Sequence, residues 1–222
     1  MSGMLSGQRI LVSAGPTYED IDPVRFIGNR SSGKMGFAIA EAAVQRGADV
    51  VLVAGPVHLP TPAGLRRVDV RAAAQMHAAV IAELPADIYI GTAAIADFTP
   101  RQIAANKIKK QPGVATLTLE LVRTPDVLAD VAVHVHRPRL VVGFAAETND
   151  LETYARDKLA RKNLDLIAAN RVGVSGSGFE SDDNALSVFG RDGFARTLGP
   201  AAKRQLADEL LDLIAECLDA HT

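Results

Sequence analysis

The chain has 222 residues, 48% apolar and 23% charged, with a net charge of −2. That balance belongs to an ordinary globular protein. It argues against a general binder of nucleic acid or of membrane surfaces, which would need a strong positive excess. The single cysteine, Cys217, excludes an intrachain disulfide and a cysteine-cluster metal site, and it fits a reducing compartment. Trp is absent and aromatics are 5%, a poor composition for stacking single-stranded bases. No stretch approaches the ~20 apolar residues of a membrane span. The start, MSGMLSGQR, has no apolar core of signal type. The reading is a cytoplasmic α/β enzyme or binding domain. It is expected to be one domain over 1–222, with a weakly ordered start at 1–8.

Short apolar runs alternate with longer helical patterns. Arg9–Ser13 reads as a buried strand. Gly33–Arg46 reads as a helix with Phe37, Ala40, Ala43 and Val44 on one face, ended by Gly47. Strands follow at Asp49–Ala54 and Val68–Val70, a helix at Ala72–Leu84, and a strand at Asp87–Ala93 running toward Asp97. The pattern continues with a helix near Pro125–His134, a strand at Val141–Ala145, a helix at Asp150–Lys162 and a strand at Asp165–Ala169. This alternation predicts a Rossmann-like α/β fold: a parallel sheet with helices on both faces. Ala115–Val122 alternates strictly, with Ala115, Leu117, Leu119 and Leu121 on one side, and predicts a half-buried antiparallel strand. Ala185–Gly190 and Ala195–Leu198 flank Arg191-Asp192-Gly193, a hairpin signal. A small antiparallel extension is therefore expected. Pro200–Leu218 reads as an amphipathic helix that carries Cys217 on its apolar face, in the core and not as a nucleophile.

Four constellations carry chemistry. The first is Arg25 to Gly36, RFIGNRSSGKMG, in a long loop that feeds a helix. Ser31, Ser32 and Gly33 at the helix start make either an anion cradle or a plain cap with solvated basic residues. Gly28 to Lys34 has the spacing of a phosphate-binding P-loop, but Met35 stands where Ser or Thr would bind Mg²⁺. The loop also begins too far after its strand. The second is Thr92-Ala93-Ala94-Ile95-Ala96-Asp97 at a strand end, where ligands of open α/β sheets bind. Asp97 could hold a ribose or a cation, or be a surface carboxylate. The third is Lys107-Ile108-Lys109-Lys110 before Gln111-Pro112-Gly113. It reads as a mobile basic flap over 104–114 able to close on a polyphosphate, or as a solvated charge run. The fourth is Lys158 and Lys162, one helical turn apart. Tyr154 and Lys158 also match the Tyr-x-x-x-Lys pair of short-chain NAD(P) reductases. The tight glycine turn of those enzymes is replaced here by Ser13-Ala14-Gly15-Pro16.

Together these residues resemble the phosphopantothenate–cysteine ligases of coenzyme A biosynthesis. The matching stretches are SAGPTYEDIDPVRFIGNRSSGKMG (13–36), TAAIADF (92–98), KIKK (107–110), RTPDVL (123–128), VVGFAAET (141–148), KLARKNLDLIAAN (158–170) and SDDNAL (181–186). In most bacteria this unit resembles the C-terminal half of a bifunctional protein whose other half is a flavin-dependent decarboxylase. The chain is expected to be a stand-alone ligase or an excised domain, without flavin. The Lys-x-Lys-Lys pattern resembles the bacterial CTP-using branch.

The resemblance implies ligation of 4′-phosphopantothenate with L-cysteine. CTP, accompanied by Mg²⁺, first forms an acyl-cytidylate and pyrophosphate; cysteine then displaces CMP. It implies Asn29 on the acyl carbonyl and Lys107 on the triphosphate as catalytic residues. Ser31, Ser32 and Gly33 would give phosphate contacts. Gly91, Thr92, Ala93, Asp97, Arg123, Thr124, Pro125, Asp126, Phe144, Lys158 and Lys162 would form the nucleotide pocket. Ala93, Ala94 and Asp97 would also face the pantothenate arm. Arg25 would hold the 4′-phosphate from the neighbouring subunit of a homodimer, with the antiparallel segments giving sheet surface for the dimer. The resemblance names no metal ligands, and it leaves room for a decarboxylase partner. The alternatives are an NAD(P) reductase and a non-catalytic nucleotide-binding dimer module.

Overall fold

A computed structural model describes residues 5–110, 112, 113, 115–171 and 183–220. One eight-stranded sheet runs through the molecule. Its parallel part consists of β1 (Arg9–Ala14), β4 (Asp49–Ala54), β5 (Arg66–Asp69), β6 (Ile88–Gly91), β9 (Leu140–Glu147) and β10 (Leu166–Arg171). In space these run β10-β9-β6-β1-β4-β5. The chain thus builds outward from β1 in one direction, returns, and builds outward in the other, the order of a Rossmann sheet. The expected hairpin is present as β11 (Asp183–Gly190) and β12 (Ala195–Ala202). It joins the same sheet antiparallel to β10 and forms its edge.

Alternate side chains of β1, β4, β6, β9 and β10 feed two separate cores, because successive residues point to opposite faces. Ile10, Val12 and Ala14 of β1 pack with α1 (Lys34–Gln45) and α5 (Lys203–Ala220). Leu11 packs on the other face with α2 (Ala73–Ala82), α3 (Val127–Ala132) and α4 (Leu151–Arg161). Helices therefore cover both faces, as the alternation predicted. Arg46, just past α1, bridges Asp208 and Asp212 of α5 and locks that pair of helices together. Leu5 is fully buried in the α1–α5 core, so the chain is anchored from that residue on. Cys217 packs at the same core, and burial raises its thiol above its ordinary range. A raised thiol is a poor nucleophile.

Two short ribbons stand outside the main sheet. One pairs β2 (Tyr18–Asp20) with β3 (Phe26–Gly28) and the other pairs β7 (Phe98–Pro100) with β8 (Leu121–Arg123). They lie against each other through β2 and β7. The half-buried strand expected over Ala115–Val122 is corrected here. Only its end is strand, and 115–120 has no regular structure where described. Its apolar side meets no core: Leu117 is 56% exposed. The last helix also starts later than expected, at Lys203. Pro200 sits in β12, where the missing N–H costs nothing on an outer edge strand.

Candidate active site

The site forms where the strand order reverses, between β1 and β6. Ser13 and Gly91 are register partners at the carboxyl ends of these strands. Past them Thr92 donates to the Ser13 carbonyl through its N–H (2.9 Å) and its Oγ1 (2.7 Å), and Ala94 N–H donates to Gly15 O at 2.9 Å. A parallel bridge joins Pro16 to Ala94. The chain then leaves β1 at Gly15, makes the β2–β3 ribbon, and returns at Gly33 directly against Gly15. Both glycines have positive φ, +81° and +75°. The ribbon is thus an insertion whose two ends meet at a pair of glycines. Gly36 lies so close to the strands that a Cβ there would collide with Ala14 and Thr92 Oγ1.

The N-cap residue of α1 is Gly33, which has no side chain to offer, and no acidic residue sits in the first turn. Gly33 N–H donates to Ser31 Oγ at 3.3 Å. Of the two readings of this loop, the anion cradle is favoured by position: Ser31–Gly36, the N-terminus of α1, line a cavity.

Two cavities meet here. The larger, about 550 Å³, is walled by Ser13, Tyr89 and Gly91, by Asp97, by Arg123–Leu128, and by Glu147, Arg161 and Lys162. The smaller, about 340 Å³, is walled by Asn29, by Ser31–Gly36, by Thr92 and Ala94, and by Asn170, Asn184 and Lys203. Ala93, Ile95, Asp97, Phe144 and Lys158 line both. One ligand can therefore span the two and touch Lys158 and Phe144 at the junction.

Lys158 Nζ donates to the Phe144 carbonyl at 2.7 Å. Burial, reinforced by nearby Lys162, lowers its pKa from the ordinary 10.5 to about 8. Lys162 Nζ pairs with Asp126 at 2.8 Å. Burial pushes the Asp126 carboxyl up, but Lys162 and the Ala129 N–H outweigh it and hold the group below its ordinary value. At the floor Ser13 Oγ and Tyr89 Oη share a hydrogen bond of 2.9 Å, and burial raises the Tyr89 hydroxyl out of any acid–base role. Asn29 Nδ2 donates to Ala94 O at 2.9 Å, which fixes its amide beside the strand ends.

Most of the expected residues come together. Gly91, Ala93, Asp97, Arg123, Thr124, Pro125, Asp126, Phe144, Lys158 and Lys162 line the larger cavity. Asn29, Ser31, Ser32, Gly33, Thr92 and Ala94 line the smaller. Arg25 and Lys107 line neither. Lys107 is exposed. Arg25 pairs with Asp22 and donates to the Ile108 carbonyl at 2.8 Å within the same chain. Of the expected flap, Gln111 and Val114 lie outside the described residues, as do Ser181 and Asp182 of the SDDNAL stretch. Tyr154 is 52% exposed and lines neither cavity, so the Tyr-x-x-x-Lys pair assembles no reductase site. Sequence reasoning missed Ser13, Tyr89, Glu147, Arg161, Asn170, Asn184 and Lys203 as wall residues. Ser13, Glu147, Arg161, Asn170 and Asn184 stood inside the motif stretches, which was the available signal.

Residues 5–218 match the family described as the DNA/pantothenate metabolism flavoprotein C-terminal domain. The chain belongs to that family. It is 53% identical to the coenzyme A biosynthesis bifunctional protein CoaBC of Vibrio cholerae, over 96% of this chain and 53% of that protein. Identity to the CoaBC of Escherichia coli K12 is also 53%, over 95% of this chain and 52% of that protein. The chain thus spans about half the length of these curated relatives. A crystal structure of the C-terminal domain of CoaBC superposes with a TM-score of 0.82 at 40% identity, covering 99% of this chain and 100% of that one. Among the described residues of this family member, no helix is long and apolar enough to cross a membrane. No group of three or more His, Cys, Asp or Glu among them could hold a metal ion.

Proposed function

We propose that this domain ligates 4′-phosphopantothenate to L-cysteine at the expense of CTP. The observation that carries the reading is the pair of cavities joined at Lys158 and Phe144, with the N-terminus of α1 on one side and Lys162, Arg123 and Arg161 on the other. Such a site can hold a polyanion beside a second ligand. The reaction needs no protein nucleophile. A pantothenate carboxylate oxygen attacks the α-phosphorus of CTP, the bond from that phosphorus to the bridging oxygen breaks, and pyrophosphate leaves. The amine of cysteine then attacks the acyl carbon, loses a proton, and CMP leaves with the electron pair. What the protein supplies is positioning and charge stabilisation.

In this reading Ser31, Ser32 and Gly33 cradle phosphate, while Gly91–Ala93, Asp97, Arg123–Asp126, Phe144, Lys158 and Lys162 hold the nucleotide. Ala93, Ala94 and Asp97 also face the pantothenate arm. Asn29 donates to the acyl oxygen, exchanging its bond to Ala94 or keeping it through the second amide hydrogen. Lys107 closes on the triphosphate. Mg²⁺ fits as the companion of the triphosphate and not as a resident of a cage: it keeps its waters and takes one or two carboxylates. Asp97, exposed at the junction, is the residue that would hold it. It would neutralise phosphate charge. Flavin chemistry belongs to the other half of the bifunctional relatives, and a decarboxylase of that kind is the natural partner in a cytoplasmic setting.

We further read the protein as a homodimer in which Arg25 holds the 4′-phosphate bound to the neighbouring subunit. Val24, Phe26, Phe98 and Leu121 on the two side ribbons are 59%, 45%, 46% and 41% exposed, an apolar strip of the kind that marks an interface. Phe98→Asp with Leu121→Asp is expected to convert a dimer to a monomer in light scattering; a single species of unchanged mass would assign the strip elsewhere. The ligase reading is tested by pyrophosphate release from CTP and from ATP, with phosphopantothenate, with and without cysteine. Release with CTP that needs phosphopantothenate but not cysteine is expected. No release with either nucleotide would overturn the reading.

A further inference from the structure

The turn between β2 and β3 runs through Ile21–Arg25 and is organised by one buried side chain, Asp22. Its Oδ1 accepts the backbone N–H groups of Val24 and Arg25, each at 2.9 Å. Those two bonds complete an Asx turn, and the turn needs nothing more. Oδ2 has other partners. It accepts Arg25 Nε at 3.1 Å and Nη2 at 2.5 Å, and the backbone N–H of Ile108 at 3.0 Å from across the fold. Arg25 Nη2 donates in turn to the Ile108 carbonyl. Ala104 N–H donates to Ile21 O at 3.0 Å, a second tie between the same two segments. Both backbone groups of Ile108 are thus held by one carboxylate and its arginine. Ile108 is the second residue of Lys107-Ile108-Lys109-Lys110, and the hairpin holding it ends one residue before Asn29.

We propose that Asp22 is a positioning residue, whose Oδ2 clasps Arg25 and the lysine flap to the hairpin that presents Asn29. The bond from Arg25 keeps the Asp22 carboxyl well below the usual carboxylate range in spite of its burial. The kinetic consequence rests on the ligase reading; the clasp itself does not. Lys107 serves the first half-reaction. Asn29 serves the second and has its own anchor on Ala94. Losing the clasp therefore weakens the first step, while the second, followed on enzyme-bound acyl-cytidylate whose 4′-phosphate is already held, keeps its rate.

The test is Asp22→Asn, which keeps the Oδ1 acceptor of the turn and places an amide N–H₂ against the guanidinium. Hydrogen exchange of the 104–110 peptide is expected to speed up about tenfold or more, the scale of losing hydrogen bonds to a charged group, while β1 and β4 peptides stay unchanged. Pyrophosphate release is expected to fall by a similar factor, and the reaction of preformed acyl-cytidylate with cysteine to keep its rate. Unchanged exchange at 104–110 overturns the clasp. Equal losses in both half-reactions overturn the positioning role and leave a merely structural one. If Asp22→Asn fails to fold, Ile108→Pro removes the flap's N–H and leaves the hairpin intact; the same exchange signature and the same split are expected. If the wild-type protein releases no pyrophosphate, the ligase reading fails alone, because the exchange experiment needs no substrate.

Discussion

The parallel sheet and the two side ribbons answer different demands. In β1, β4 and β6 nearly every side chain is buried, and the alternation between two cores leaves each strand one register and one address. In β2–β3 and β7–β8 the strands are three residues long and leave Phe26, Phe98 and Leu121 in water. Yet the ribbons and the segments they hold carry Arg25, Asn29 and Lys107, while the sheet supplies the walls. The scaffold sets where a ligand lies. In the ligase reading the ribbons bring the groups that act on it, and polar ties such as those of Asp22 and Asn29 help to fix their positions.

The sharpest way to break that division is Lys107→Gln. If the flap acts on charge in the first step, the substitution lowers pyrophosphate release by roughly 10²–10³, the scale of one well-placed electrostatic contact, with no change in denaturant midpoint. Rapid-quench measurement of pyrophosphate decides it. A near wild-type rate would return the flap to a solvated charge run. Asn29→Asp makes the complementary case: acyl-cytidylate should form and accumulate, because a carboxylate cannot donate to the acyl oxygen.

Gly36→Ala probes the scaffold instead. The added methyl meets Ala14 Cβ and Thr92 Oγ1, both on the strand ends that frame the site. Overpacking of this kind costs about 1–3 kcal/mol, read as a lower urea midpoint at unchanged slope. Activity should fall with it, since the helix start and the strand ends move apart. A stable variant with altered activity would show that the site, and not the fold, demands the glycine.

The same contrast explains what was legible in the sequence. Asp49–Ala54 was read to the residue, because six apolar-rich residues between a glycine turn and Gly55 have one solution in a parallel sheet. Ala115–Val122 misled because alternation reports that one side is apolar, not that anything within the chain covers it. Leu117 and Leu121 are exposed, so the pattern spoke of a surface and was taken for a core. The ribbon β2–β3 left no periodic trace at all, since three residues are too few to show a period. Of the site, Thr92–Asp97 followed from a motif at a strand end, while Gly91, Arg123–Asp126 and Phe144 followed only from the family resemblance. Asp22 did not, because its partner Ile108 is distant in the chain and only the folded structure brings them together.

Lys158 lines both cavities, and it gives the smallest and most specific effect. Burial and Lys162 depress its pKa from 10.5 to about 8. Below pH 8 the amine is charged in the folded protein at a cost, and that cost is relieved as it deprotonates. Between pH 8 and 10.5 the unfolded chain holds the proton and the folded one has lost it, so this residue makes stability rise with pH across that window. Ligand binding runs the other way. A triphosphate wants the charged amine, whose share falls from about nine-tenths at pH 7 to about one-tenth at pH 9. The KM for CTP should therefore climb about tenfold over that interval, while the KM for cysteine does not follow it. Lys158→Met should flatten both slopes, starting from a higher KM. A stability slope that survives the substitution would belong to another group, and a KM for CTP that stays level in the wild type would mean that the bound phosphates never reach the junction of the cavities.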